Sequence, residues 1–187
     1  MRLDCAIIPL FDYAVDDIVA ALPAPSSPLW DMAPFRQNRY RAHEATRSIV
    51  FNWLPNAWRP GERPATIRLS YPPTPLSDSV WAFAEHLLRY RAGVVAKLML
   101  AELAPGERIR PHTDAAPALI RANRCHLPIV SNEGVSFRVE RQRYELRPGT
   151  CYELDNTRTH AVRNDGASPR VHLICDILPE AACQAAG

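Results

Sequence analysis

From Gly93 onward, apolar and polar positions alternate with a period of two in short runs, broken by turn residues about every ten positions. This is the pattern of half-buried antiparallel strands. The runs are Val94–Leu103, Arg108–His112, Asn123–Val130, Val135–Glu140, Arg143–Leu146, Cys151–Leu154, His160–Arg163 and Arg170–Leu178. Pro105-Gly106, Ser131 to Gly134, Pro148-Gly149 and Asn164-Asp165-Gly166 separate them with residues that turns require. About eight such strands make a sandwich, jelly roll or small barrel, and a double-stranded barrel of the cupin kind matches best. Before Gly93 the period changes. Val80, Ala84, Leu87 and Leu88 lie at i, i+4, i+7 and i+8 and form one helical face. Thr74 suits the N-cap, Pro75 the first helical position and Asp78 the first turn, and Gly93 suits the stop. The spacing predicts a helix over Pro75–Ala92, a shorter one over Asp16–Leu22, and a strand over Ala45–Trp53. The expected fold is mainly β: a double-stranded β-helix (cupin-like jelly roll) with one or two flanking helices. Residues 94–178 form its core, and residues 1–93 supply strands, loops and the supporting helix within a single domain, 1–187.

Composition narrows the classes. The chain has 187 residues and 21.0 kDa, enough for one ordinary domain. With 47% hydrophobic and 22% charged residues it is globular, not disordered. Twenty-two basic residues against 20 acidic ones give +2, which offers no support for a dedicated nucleic-acid binder. The five cysteines are odd in number and form no C-x-x-C pair, so neither a zinc ribbon nor a thioredoxin-type motif is present. They read as small buried hydrophobes in a reducing compartment, and a cytoplasmic protein is expected. Asp4 and a very short apolar run argue against a signal peptide at the N-terminus. Val94–Leu103, interrupted by Lys97, is too short to span a bilayer. No phosphate-cradling glycine loop and no G-x-S-x-G occur.

One arrangement carries chemistry. His112-Thr113-Asp114 ends a predicted strand, and His160 opens a later one. Positions i and i+2 of an extended chain share a face, and strand pairing can bring His160 to them. Two imidazoles and one carboxylate form the facial triad of non-haem Fe(II) oxygenases, with the opposite positions open. H-x-D alone arises by chance about 0.3 times in a chain with 6 His and 10 Asp, so the rest of the pattern matters. Arg170 follows His160 by ten residues, with His172 two further on. A guanidinium in a barrel needs an anion, and its planar fork suits a carboxylate, so a dicarboxylate cosubstrate is its natural partner. Arg124 and His126 repeat the i, i+2 spacing on another strand. Arg36, Arg39, Arg41, His43 and Arg47, with Phe35 and Tyr40 between them, form a cationic run. It reads as carboxylate recognition at the barrel mouth or, for most of its arginines, as an ordinary solvated face. Trp30, Trp53, Trp58 and Trp81 read as core before pocket, and Tyr152 and Asp155 as residues that could orient His160.

The segment from GERIRPHTD through NRCHLPIV to VSFRVERQRYELRPGTCYELDNTRTHAVRNDGASPRVHLICDIL resembles the aspartyl/asparaginyl β-hydroxylase family of Fe(II)/2-oxoglutarate-dependent dioxygenases. The resemblance spans about Met99 to Leu178, and Arg39 to Trp53 resembles the strand leading into the barrel in bacterial members. It implies His112 and His160 as iron ligands, with Asp114 completing the triad. It implies Arg170 on the distal carboxylate of 2-oxoglutarate, and Arg124 with His126 at its other end. O2 is the implied oxidant. The animal peptidyl hydroxylase lacks the carboxylate ligand, so Asp114 aligns this chain with bacterial free-amino-acid hydroxylases. A serine that assists the cosubstrate in the animal enzyme is replaced by Ala101, with Lys97 as an additional partner to consider. The implied reaction is hydroxylation of an unactivated C–H in a free amino acid or a peptidyl Asp/Asn-type side chain. The competing readings are a cupin-like metal or small-ligand binding module without turnover, and a metal-dependent isomerase or hydrolase on the same triad. No nucleic-acid or membrane partner is expected.

Overall fold

The computed structural model describes residues 5–32, 44–69 and 75–184. Eleven strands and two α-helices occur among them: β1 (Ile7–Asp12), α1 (Asp16–Ala21), β2 (Thr46–Trp53), β3 (Ile67–Arg68), α2 (Pro75–Leu87), β4 (Val94–Leu103), β5 (Arg108–His112), β6 (Asn123–Val130), β7 (Val135–Val139), β8 (Gln142–Tyr144), β9 (Thr150–Leu154), β10 (His160–Asn164) and β11 (Arg170–Leu178). They form a seven-stranded sheet, β1-β9-β6-β11-β4-β2-β3, and a four-stranded sheet, β5-β10-β7-β8. Every strand pairing is antiparallel. This is the double-stranded β-helix expected from the alternation, with two helices flanking it.

Alternation divides the large sheet into two chemically different faces. Leu98 and Leu100 of β4, Cys125, Leu127 and Ile129 of β6, and Val171, Leu173, Cys175 and Ile177 of β11 join one cluster with Ile18 of α1 and Val80, Phe83, Ala84 and Leu87 of α2. Both helices therefore pack on the outer face, through the apolar stripe the spacing predicts. Each large side chain fully buried there contributes about 1.5–3 kcal/mol relative to leaving it exposed. The opposite face carries Arg124, His126, Arg170, His172 and Asp176, all buried. It looks across the barrel at Ile109, Phe137, Val139 and Val162 of the small sheet, which are buried as well.

Three local features depart from the sequence reading. Ile7–Asp12 is a strand at the sheet edge, paired with β9 through a register shift between Pro9 and Phe11. Proline inside an apolar run disguises it, yet an edge strand accommodates proline at such an irregularity. The long helix stops at Leu87, and Arg89, Tyr90 and Arg91 donate their amides to His86 and Leu87 carbonyls in turns. Gly93 then enters β4 at φ +154°, where an added Cβ would lie 2.3 Å from the Leu178 carbonyl oxygen. Thr74 lies outside the described residues, as do Arg36, Arg39, Arg41 and His43. Arg47 bonds Glu102 at 2.6 Å and the Pro25 carbonyl at 2.7 Å, a structural tie between β2 and β4. No described helix is long and apolar enough to cross a membrane.

Candidate metal centre

Strand register brings the two histidines together. His160, first in β10, lies directly opposite His112, last in β5, and their ring centroids are 4.3 Å apart. A bulge makes this possible. Two steps along β10, from His160 to Val162, match three steps along β5, from His112 to Ile109. Without the extra residue, His112 would share the outward face of Arg108 and Arg110. The added residue between Ile109 and His112 turns its ring inward. Asp114 lies two residues beyond, tied by its amide to the Asn156 carbonyl at 3.0 Å. One ligand atom from each of His112, Asp114 and His160 falls within 4.8 Å of the others.

The donor set could hold a metal ion. Nδ1 of His112 is 2.8 Å from the Arg110 carbonyl oxygen, and Nδ1 of His160 is 2.9 Å from that of Arg158. A carbonyl only accepts, so both Nδ1 atoms carry the proton and each Nε2 keeps its lone pair. This is how metal-binding imidazoles are oriented and held in one tautomer. Burial pushes the His160 pKa down to about 4; Asp114 opposes the shift and His112 adds to it. The ring is therefore neutral at pH 7, as ligation requires.

Asp114 stays ionised. Burial alone would raise its pKa, but Arg124, His160 and His112 together hold it below the usual carboxylate value. Arg124 donates through Nη1 to Asp114 Oδ2, and through Nε and Nη2 to both oxygens of Asp176, each at 2.8 Å. Asn156 Nδ2 donates to the same Asp114 oxygen at 3.2 Å and to the Leu119 carbonyl at 3.1 Å. Both of these side-chain bonds land on Oδ2. The segment before His160 is held likewise. Asp155 accepts from the Thr157 amide at 3.2 Å, the Thr157 hydroxyl at 2.6 Å and Arg158 Nε at 3.2 Å. Arg158 in turn presents the carbonyl that orients His160. Tyr152 instead accepts the Arg147 amide at 3.1 Å.

The remaining sequence candidates occupy the barrel beneath. Arg170, 2% exposed, donates Nη2 to His172 Nδ1 at 2.7 Å and lies 6.0 Å from the Phe137 ring centroid. His172 Nδ1 is thus an acceptor, and His126 Nδ1 approaches it at 3.4 Å. Burial and the Arg170 charge keep the His172 pKa well below its ordinary value. Arg124 differs from its expected place: its guanidinium is engaged by two carboxylates of the chain itself, and Asp114 is one of them. Asp176 and Asn156, which hold Arg124 and Asp114, were not singled out from sequence. His112, His126, His160, Arg124, Arg170 and Phe137 line a common cavity of about 20 Å³, room for about one water. Trp30 and Trp58 belong to other apolar clusters, and Trp53 lies under the Lys97 ammonium, 4.0 Å from its ring centroid.

Two outcomes follow from these contacts. Between pH 6.5 and about 4 the unfolded chain protonates His160 and the metal-free fold does not. Stability is complete above pH 6.5 and falls as pH drops, by about 1.4 kcal/mol per unit and about 3 kcal/mol in all. His172 shifts in the same direction and steepens the loss. Urea midpoints of the metal-free protein at pH 7 and pH 4.5 measure it. Asn156→Leu removes one bond to Asp114 and is expected to weaken metal binding about 10–100-fold, read by competition against a chromophoric chelator.

Residues 80–179 match the model of a family described as aspartyl/asparaginyl beta-hydroxylase. No curated protein matches the chain. Among solved structures, the chain is similar to an oxidoreductase of the 2OG-Fe(II) oxygenase family from Burkholderia pseudomallei, at 15% identity and a TM-score of 0.58 over 92% of this chain and 85% of that one. It is also similar to the viral collagen prolyl hydroxylase of Paramecium bursaria Chlorella virus-1 in its 2OG complex, at 12% identity and a TM-score of 0.53 over 94% and 97%. At these identities the structural likeness bears on fold alone.

Proposed function

The chain belongs to the aspartyl/asparaginyl β-hydroxylase family, and from that premise we propose that it is an Fe(II)/2-oxoglutarate-dependent hydroxylase whose metal is held by His112, Asp114 and His160. The observation that carries this reading is the convergence of two Nδ1-tethered imidazoles and one ionised carboxylate within 4.8 Å. Such a set fits Fe(II) and leaves one side open for ligands. When bound, iron and 2-oxoglutarate together supply the O2-activating chemistry that hydroxylates an unactivated C–H and leaves succinate.

The protein's share is positional. The carbonyls of Arg110 and Arg158 hold the two rings, and Arg124 and Asn156 hold Asp114. Arg170 is the binding partner for the distal carboxylate of the cosubstrate, with a planar fork deep in the barrel. A cavity of about 20 Å³ does not admit a five-carbon diacid. The cavity would have to widen for the cosubstrate to bind, and Arg170 and Phe137 are among the residues that line it. In this reading Arg124 and His126, which line the same cavity, help hold the other end of the cosubstrate, and Arg124 also holds Asp114. The substrate is a carboxylate-bearing molecule, either a free amino acid or an Asp/Asn-type side chain of a peptide.

The test incubates purified protein with Fe(II), ascorbate, 2-oxoglutarate and pools of amino acids and acidic peptides. Succinate that rises with one substrate pool and vanishes in Arg170→Ala is the expected result. Metal binding without succinate in any pool contradicts the proposal and favours a binding module.

A further inference from the structure

The outer face of the small sheet carries a charge pattern that the barrel interior does not use. Strand alternation turns Ile109, Phe137 and Val162 inward and leaves Arg108, Arg110, Arg138, Arg143 and Arg163 exposed. All five arginines line one groove of about 570 Å³, in which Glu133 and Asp165 are the acids. Register places Arg163 directly opposite Arg108, and Arg138 directly opposite Arg143. Like charges directly opposed across strands work against the sheet. The acids nearby relieve little of this: Glu44 reaches Arg110 at 3.0 Å and Asp165 reaches Arg163 at 2.5 Å, both as solvent-exposed pairs, which are weak. In a chain with a net charge of only +2, the groove is a local concentration of positive charge set against the stability of its own sheet.

We propose that this groove binds an acidic stretch of polypeptide, the flank of a protein substrate presented to the metal centre. The proposal rests on the hydroxylase reading and, of its two substrate classes, selects the peptidyl side chain over the free amino acid. Guanidinium forks pair with carboxylates two bonds at a time. Adjacent strands set arginines about 4.8 Å apart, and alternate positions along a strand about 6.8 Å apart. Alternate side chains of an extended acidic peptide repeat at that second spacing. Among the described residues no aromatic side chain lines the groove. A surface for single-stranded nucleic acid relies on such rings to stack bases, so the observations favour a peptide. The groove lies on the opposite face of the small sheet from the metal centre and adjoins it along β5, where Arg108 to Pro111 line the groove and His112 follows.

The experiment measures fluorescence anisotropy of a labelled twelve-residue polyglutamate and a labelled twelve-nucleotide polyuridine, each titrated with the full chain at 50 and 200 mM salt. Saturable, salt-sensitive peptide binding is expected, with RNA bound more weakly. In Arg138→Gln/Arg143→Gln/Arg163→Gln, peptide affinity is expected to fall at least tenfold. Its Tm should equal or exceed that of the parent, because opposed charges have been removed. No saturable peptide binding, equal affinity in the variant, tighter RNA binding, or a Tm lowered by several degrees along with lost binding would each overturn the proposal. Anisotropy requires no iron. Intact peptide binding with no succinate formation therefore refutes the hydroxylase reading and leaves the groove standing, and the converse refutes the groove alone.

Discussion

In His112→Ala, tight Fe(II) binding and 2-oxoglutarate-dependent succinate formation are both expected to disappear, each falling at least about 100-fold, beyond the range typical of losing a residue that only supports a ligand. The fold should survive. The His112 ring is half-buried, its Nδ1 meets a neighbouring carbonyl, and it packs against the His160 ring. Alanine therefore opens no large core cavity, and unfolding midpoints of the metal-free parent and variant should nearly coincide. Isothermal titration with Fe(II) under argon, paired with urea unfolding, separates the two effects. Loss of activity with unchanged iron affinity would show that His112 is not a ligand. Loss of both metal binding and fold would show that its role is structural.

The largest stability effect is expected at Arg124. This side chain is 6% exposed and lies between Asp114, 8% exposed, and Asp176, fully buried. Arg124→Met keeps much of the volume but leaves two carboxylates facing a low-dielectric interior with no cation between them. Breaking a buried ion pair from one side typically costs about 3–5 kcal/mol, a large part of the about 5–15 kcal/mol that holds an ordinary domain. The fold has one escape, which is to protonate an acid. Arg124 is the strongest influence holding the Asp114 pKa down, so without it that pKa rises and metal binding weakens at neutral pH. Arg124→Met should therefore unfold at lower urea and bind Fe(II) with a steeper dependence on pH. The double variant Arg124→Met/Asp176→Leu should recover part of the stability, because it removes the fully buried charge. A single variant as stable as the parent would mean that the Asp114–Arg124–Asp176 chain does not hold the barrel interior together.

Most of the barrel was legible from local alternation. Val94–Leu103, Arg108–His112, Asn123–Val130 and Arg170–Leu178 run as strands over the expected bounds, because an apolar face on one side and turn residues at the ends specify a strand without reference to its partners. What depends on partners was less visible. The helix face continues to Leu88, but the following residues satisfy their amides in turns and the chain must pass Leu178 at Gly93. The proximity of His112 to Asp114 follows from their spacing, but the inward direction of His112 depends on a bulge that only the pairing of β5 with β10 reveals. Arg124 shows the same limit. Its spacing to His126 suggests a ligand-binding pair, yet Asp176, 52 residues away, sits opposite it in the register and shares its guanidinium with Asp114. The five exposed arginines were also hidden, because four strands contribute them and no single segment is unusually basic.

X-ray absorption at the iron edge of the anaerobically reconstituted protein tests the metal centre most directly. The multiple scattering of two imidazoles, with the remaining near neighbours all oxygen, is the predicted spectrum, and one imidazole should vanish in His160→Ala. A sulfur neighbour, or a spectrum unchanged by that substitution, would place the iron elsewhere and contradict the assignment of His112, Asp114 and His160.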